Sequence, residues 1–408
     1  ARGAVARGAV ARGALAAATR SARMPPASLK EVAQLFLRLG TTAFGGPAAH
    51  IAMMEDEVVR RRHWITRERF LDLLGATNLI PGPNSTEMAI HIGHQRAGWG
   101  GLVVAGLCFI VPASCITLAL AWAYVHFGTR PQAGALLYGV KPVIIAVVVQ
   151  ALWGLGRTAV KTVPHAALAA LAVAASALGM NEIVILCAAG AVAAALHAIA
   201  TRARQAAAGC AAWAAVGSVI PPVTTTAAAV VSSFSLTALF LFFLKVGAIL
   251  FGSGYVLIAF LRADLVDHWR WLSDGQLLDA VAMGQITPGP VFSTATFIGY
   301  VLGGLPGALL ATAGIFLPSF AFVALSGPLV PRLRHSPTAG AFLDGVNVGA
   351  LALMAVVTCT LGRAAIVDPT SVMLAAVSAF LLLRFRVNSA WLVLGGACVG
   401  FGLGGGLR

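Results

Sequence analysis

Phe36-Leu37-Arg38-Leu39-Gly40 recurs as Phe243-Leu244-Lys245-Val246-Gly247, 207 residues later. The same offset pairs Phe44-Gly45 with Phe251-Gly252, Glu57 with Asp264, Trp64 with Trp271 and Asp72 with Asp279. It also pairs Pro81-Gly82-Pro83 with Pro288-Gly289-Pro290. One residue is then lost. An offset of 206 pairs Gly93 with Gly299, Pro112 with Pro318, Gly139-Val140 with Gly345-Val346, and Gly156-Arg157 with Gly362-Arg363. Register this constant is the mark of duplication. The chain divides into a basic tail 1–29, a first half 30–200, a linker 201–236 and a second half 237–408. The linker holds one weak candidate span. An even number of spans between equivalent points would make the halves parallel, and an odd number would invert them.

The solvent these halves fold in follows from composition. Of 408 residues, 59% are hydrophobic and 10% charged, against about 25% charged in ordinary soluble domains. A chain of this length folded in water needs a solvated shell that so few charges cannot supply. Runs such as 101–124 and 166–180 are almost free of charge, and a span needs about 20 apolar residues. The expected fold is an all-α polytopic membrane protein of two homologous halves, with about 10–13 transmembrane segments, some of them broken. In the first half the helical segments fall near 31–54, 70–95, 101–126, 135–156, 164–179 and 182–200.

The formal net charge is +14. The arginines stand in the Ala-Arg-Gly-Ala tail, in 60–69 and in short loops, as cytoplasmic flanks of spans do. No folded basic module accompanies them, so nucleic acid is not an expected partner. Loop charge pulls the topology both ways. Arg60, Arg61, Arg62, Arg67 and Arg69 face only Arg262 and Arg270, which favours inversion, while Arg332 and Arg334 outnumber Arg130, which disfavours it. The six cysteines form no CxxC pair and most lie in apolar runs. Neither a disulfide framework nor a metal site is expected, and no cofactor.

The paired Pro-Gly-Pro motifs carry the most information. Proline removes a backbone donor and glycine permits strained backbone, so each motif breaks its helix. Non-helical backbone at membrane depth survives only inside protein or along a wet cavity, and breaks at matching places in two halves point to a substrate site. The helix that restarts offers free N–H groups and a positive dipole end, which suits an anion. A plain packing kink is the alternative. Candidate anion ligands are Asn78, Pro81, Gly82, Pro83, Asn84, Ser85 and Thr86 in the first half, and Gln285, Pro288, Gly289, Pro290, Ser293 and Thr294 in the second. A second pair of breaks, Phe44-Gly45-Gly46-Pro47 and Phe251-Gly252-Ser253-Gly254, adds Phe44, Gly45, Gly46, Gly252 and Ser253. Close helix packing through glycine explains these equally well.

Arg38 and Lys245 are matched bases seven residues before those second breaks. A cation inside an apolar helix marks function by default; snorkelling to the interface is the competing reading. Lys141 matches Asn347 and so lacks the symmetry argument. Glu87 and His91 follow the first Pro-Gly-Pro on one helical face and are candidates for proton coupling. Their counterparts in the second half are not ionisable. Asp72 and Asp279 match, each about one turn after a loop, where helix-end charge explains them as well as transport does.

Phe44-Gly45-Gly46-Pro47 with His50, Met54-Glu55-Asp56-Glu57-Val58-Val59, Trp64 and the stretch from Asn78 through Glu87 resemble the chromate ion transporter family, long-chain two-domain type. The resemblance covers nearly everything after residue 29. It implies export of chromate across the bacterial inner membrane, driven by the proton motive force, and halves of opposite orientation. Pro47 is replaced by Gly254 and Asn84 by Val291 in the second half, which fits unequal contributions to a site. Chromate is a tetrahedral dianion like sulfate, so N–H groups, hydroxyls and one or two cations would hold it. A sulfate-type uptake protein or an anion channel is the alternative in transport, and a membrane scaffold the alternative outside it. No Gly-x-x-x-x-Gly-Lys-Ser/Thr loop occurs, and no catalytic constellation, so an enzyme is not expected. Membrane lipid is an expected partner, and homodimerisation stays open.

Overall fold

The computed structural model describes residues 28–128, 130–207, 234–251, 254–334, 336–385 and 387–405. Nearly all of the tail and most of the linker therefore lie outside the described residues, as do Gly252 and Ser253. The helices of the first half are α1 (Leu29–Thr42), α2 (Gly46–Glu55), α3 (Arg67–Thr77), α4 (Asn84–Phe127), α5 (Pro131–Ala159), α6 (Val163–Ala177) and α7 (Glu182–Ala207). The second half repeats them as α8 (Leu236–Ile249), α9 (Leu257–Leu261), α10 (Asp274–Ile286), α11 (Thr294–Arg334), α12 (Pro337–Ala365), α13 (Pro369–Phe380) and α14 (Ser389–Gly405). Among the described residues, five helices are long and apolar enough to cross a membrane. On α4 the exposed Val103, Leu107 and Val111 recur every fourth residue, a stripe that suits lipid.

The first two segments of each half fold back instead of running straight. Arg38 on α1 reaches Glu57, just beyond α2, at 2.6 Å. On one continuous helix those residues would stand about 28 Å apart. So α1 and α2 form a hairpin whose tip is the break at residues 43–45. Lys245 pairs with Asp264 in the same way across α8 and α9. The second segment does likewise. Arg96, at the end of the first arm of α4, lies 5.2 Å from the Trp64 ring, which precedes α3. The Pro-Gly-Pro motif is thus the tip of a second hairpin.

α4 is itself two helices. Ala97 and Gly98 leave helical backbone, with Gly98 at φ 60°, ψ −148°. The arms then run antiparallel, so close that a Cβ on Gly93 would collide with the Gly101 carbonyl. Gly303 and Gly304 make the same turn in α11, where Gly299 meets Gly307. Only glycines allow that approach. The second arm of α4 (99–127) is a full span, and α1 packs along its first half: Leu29 lies beside Gly100, and Gly40 against the Phe109 carbonyl. The hairpin tip therefore reaches the middle of the span.

The halves are inverted. Gly156 lies against Leu351 and Gly362 against Ile145. Residues 145 and 351 are equivalent, as are 156 and 362. Parallel helices would bring each residue beside its own equivalent, whereas here the partners are eleven residues apart, about 16 Å along a helix. So α5 and α12 run antiparallel, and the pseudo-two-fold axis is perpendicular to the spans. The halves are also interlocked: α6 and α7 pack on α12, while α13 and α14 pack on α5. Gly139 beside Gly396, and Gly345 beside the Ala189 carbonyl, allow those contacts.

Candidate anion site

Four hairpin tips meet at the pseudo-two-fold axis. The Gly82 N–H donates to the Leu250 carbonyl at 2.8 Å, and the Gly289 N–H donates to the Ala43 carbonyl at 2.8 Å. These are the same bond made twice, because 43 matches 250 and 82 matches 289. Each Pro-Gly-Pro tip of one half thus satisfies the orphan carbonyl at the break of the other, as backbone in an apolar interior must. Both glycines carry positive φ, 133° and 86°. A Cβ on Gly289 would strike Ala113 at 2.7 Å, and one on Gly82 would strike Glu87 Oε1, with Ser319 Oγ at 3.0 Å. Ala113 and Ser319 are equivalents near the middle of the two long spans.

A cleft of about 870 Å³ opens from these tips toward one end of the molecule. Its floor is Gly45, Pro47, Asn78, Pro83, Asn84 and Ser85 of the first half, with Gly254, Tyr255, Val291 and Phe292 of the second. Its walls are the end of α5 with Gln150 and Arg157, Lys161 just beyond it, and the start of α12 with Asp344 and Asn347. The Asn84 side-chain amide donates to Asn78 Oδ1 at 2.8 Å, fixing both at the rim of the break. α4 starts here, and the Thr86 and Glu87 N–H groups bond back to the Pro83 carbonyl. The positive end of the helix dipole faces the cleft. Lys161 is paired with Asp344 at 3.0 Å. Among the described residues Arg157 makes no ion pair.

The other described candidates from the sequence do not line this cleft. Gly46 lies 3.6 Å, measured from an added Cβ, from the Tyr255 hydroxyl, which donates to Gln285 Oε1 at 3.3 Å. Phe44 is partly exposed beside the break, while Thr86, Ser293 and Thr294 are buried behind the tips. Pro81, Pro288 and Pro290 shape the tips without lining the cleft. Arg38 and Lys245 do not line it either, because each is held at the base of its own hairpin by Glu57 or Asp264. Burial pushes the Glu57 carboxyl up, but hydrogen bonds from Arg38 and Arg62 outweigh it and hold the group below the usual carboxylate range. Glu87 is fully buried one turn behind Asn84, and among the described residues neither of its oxygens has a hydrogen-bond partner. His91 Nε2 is likewise unpartnered there. No group of three metal-binding side chains occurs among the described residues.

Sequence reading missed Arg157, Lys161, Asp344, Asn347, Gln150 and Tyr255. Arg157 was visible only as a point of register with Arg363. Nothing in one half shows that the end of α5 faces the start of α12 until their antiparallel packing is known.

The family model for chromate transporters matches residues 30–195 and again 237–401, one match per half. A chromate transport protein of Cupriavidus metallidurans is 33% identical over 92% of this chain and 93% of its own length. A chromate transport protein of Pseudomonas aeruginosa is 34% identical over 85% of this chain and 84% of its own. A probable chromate transport protein of Synechococcus elongatus is 30% identical over 84% and 87%. No solved structure matches the chain.

Proposed function

The chain belongs to the chromate transporter family, and from that premise we propose that it exports chromate as a secondary active transporter driven by the proton motive force. It is a multi-pass inner-membrane protein with no reaction to perform on its cargo. The observation that carries the reading is the pair of reciprocal tip-to-break hydrogen bonds, Gly82 to Leu250 and Gly289 to Ala43, whose near neighbours in sequence, Pro83, Val291 and Gly45, line the cleft. Backbone is broken there in both halves, and polar side chains face the open side of it.

A tetrahedral dianion fits this floor. Asn78, Asn84, Ser85 and the start of α4 supply donors, and Arg157 supplies a cation along the wall. Arg38 and Lys245 then serve to pin the hairpins. Loop charge supports loading from the cytoplasm. The Lys141 ammonium lies near Gly275 in the first turn of α10, so by pseudo-symmetry the start of α12 shares an end with the 60–69 loop. Arg60, Arg61, Arg62, Arg67 and Arg69 stand at the cleft end, and Arg262 and Arg270 at the other. The arginine-rich end of such proteins is retained in the cytoplasm. Arg332 and Arg334 lead into α12 at the cleft end too, so inversion reconciles the two loop comparisons that conflict in the sequence.

Glu87 and His91 stand behind the first tip as the proton-coupling pair, one-sided like the cleft. The test is chromate and sulfate flux in proteoliposomes under an imposed proton gradient. Chromate moving against its own gradient, with Glu87→Gln abolishing the dependence on protons but not chromate binding, is the expected result. Flux that ignores the proton gradient would leave a channel, and sulfate preferred over chromate would change the substrate.

A further inference from the structure

The cleft has a closed twin. A void of about 10 Å³ is lined in part by Ile145, Ile258 and Leu361, the equivalents of Leu351, Ile51 and Leu155 in the cleft. Half of its lining residues are equivalents of cleft residues. One construction thus appears twice, related by the pseudo-two-fold axis, wide at one end of the molecule and shut at the other. The shut copy has room for at most one water.

The ion pair that fastens the shut copy cannot form at the equivalent positions of the open one. The Lys141 ammonium lies 3.2 Å from Asp279 Oδ1, and the Tyr124 hydroxyl donates to Asp279 Oδ2 at 3.0 Å. This bridge ties α4 and α5 of the first half to α10 of the second. The equivalent of Lys141 is Asn347, which lines the cleft and cannot form an ion pair. Lys141 therefore occupies the wall position of the twin that Asn347 occupies in the cleft.

We infer that the twin is a second anion passage, opening to the opposite membrane face, with Asp279 as its lock and Lys141 as the cation that meets the oxyanion there. This rests on the transport reading above. When the halves exchange conformations, the cleft closes and the twin opens. Lys141 then loses Asp279, and an uncompensated ammonium in that setting is costly. A tetrahedral dianion passing the twin takes the place of the carboxylate, so opening is favoured when cargo is present. In the shut state Asp279 repels the anion and holds the ammonium, which suppresses leak.

The test uses the full chain with its natural cysteines replaced by serine, carrying Leu155→Cys or Leu361→Cys, in vesicles exposed to an impermeant maleimide on one face at a time. Leu155→Cys should label from the cleft face, and Leu361→Cys only slowly from the other. Adding Asp279→Asn should speed Leu361→Cys labelling by about tenfold or more, as should chromate turnover in the chain with Asp279 intact. Lys141→Gln should raise the KM for chromate offered from the twin's face, leave the KM from the cleft face in place, and be rescued by Lys141→Arg. Leu361→Cys that stays closed in both conditions while chromate flux persists overturns the inference alone. Vesicles of the unaltered chain that carry no chromate would sink the transport reading and, with it, Lys141 as an anion contact.

Discussion

Gly289 has a φ of 86° and no room for a methyl group beside Ala113 and the Gly40 carbonyl. Gly98 also has positive φ, but nothing lies within 4 Å of an added Cβ. The two should therefore behave differently. Gly98→Ala should cost about 1–3 kcal/mol of backbone strain, seen as a lowered Tm in detergent, with transport retained. Gly289→Ala should cost more than that and also abolish transport, because the tip must retreat from Ala43. Equal effects on flux would show that the tip contact has no role in the path. The paired Pro-Gly-Pro motifs were readable in the sequence because each break appears twice. The charged neighbours were not. Arg38 and Lys245 read as anion ligands since a cation in an apolar helix invites that reading. Their partners, Glu57 and Asp264, are 19 residues away, and only the fold-back of the hairpins brings them together.

At the scale of elements, each half is two re-entrant hairpins leaning on a full span. The apolar pattern of 31–54 or 70–95 is the same whether the broken segment crosses or returns, so the sequence shows the break and not the direction taken after it. The first hairpin is clamped at its base by Glu57, which receives Arg38, Arg61 and Arg62. Its folded-state acidity is shifted down, so its contribution is fully present above the ordinary carboxylate value and is lost as pH falls through the folded value. Acid titration below about pH 4.3 should lower the Tm, and Glu57→Gln should remove that component of the acid dependence. An unchanged acid limb in Glu57→Gln would mean that other carboxylates govern it. The equivalent hairpin of the second half has at its base one cation among the described residues, Lys245, on Asp264. Lys245→Gln should then destabilise by about 1 kcal/mol, and Arg38→Gln by less, since Arg61 and Arg62 remain on Glu57. Thermal unfolding of the two variants under the same detergent conditions compares them directly.

For the whole molecule, duplication was plain from the register at 207 and 206, but the relation of the halves was not. It depends on an odd or even count of crossings, and hairpins that enter and leave on one side contribute none. Packing settles it: Gly156 on Leu351 and Gly362 on Ile145 make α5 and α12 antiparallel. Single cysteines at Arg62 and Arg270 should accordingly label from opposite faces, with Arg62 on the cytoplasmic one. Labelling of both from one face would contradict the inversion. Interlocking of α6 and α7 with α12, and of α13 and α14 with α5, further predicts that neither half separates as a stable unit; limited proteolysis in the linker should leave the halves co-purifying. The anion should bind where the broken helices meet. Chromium is its own label, and anomalous scattering at its absorption edge from crystals grown with chromate locates it without a variant. The expected peak lies on the cleft floor, beside Asn78, Asn84 and Ser85 and facing Tyr255. A peak instead against the Arg60, Arg61 and Arg62 loop, or beside Arg38 and Lys245, in a protein that still carries chromate would contradict this placement.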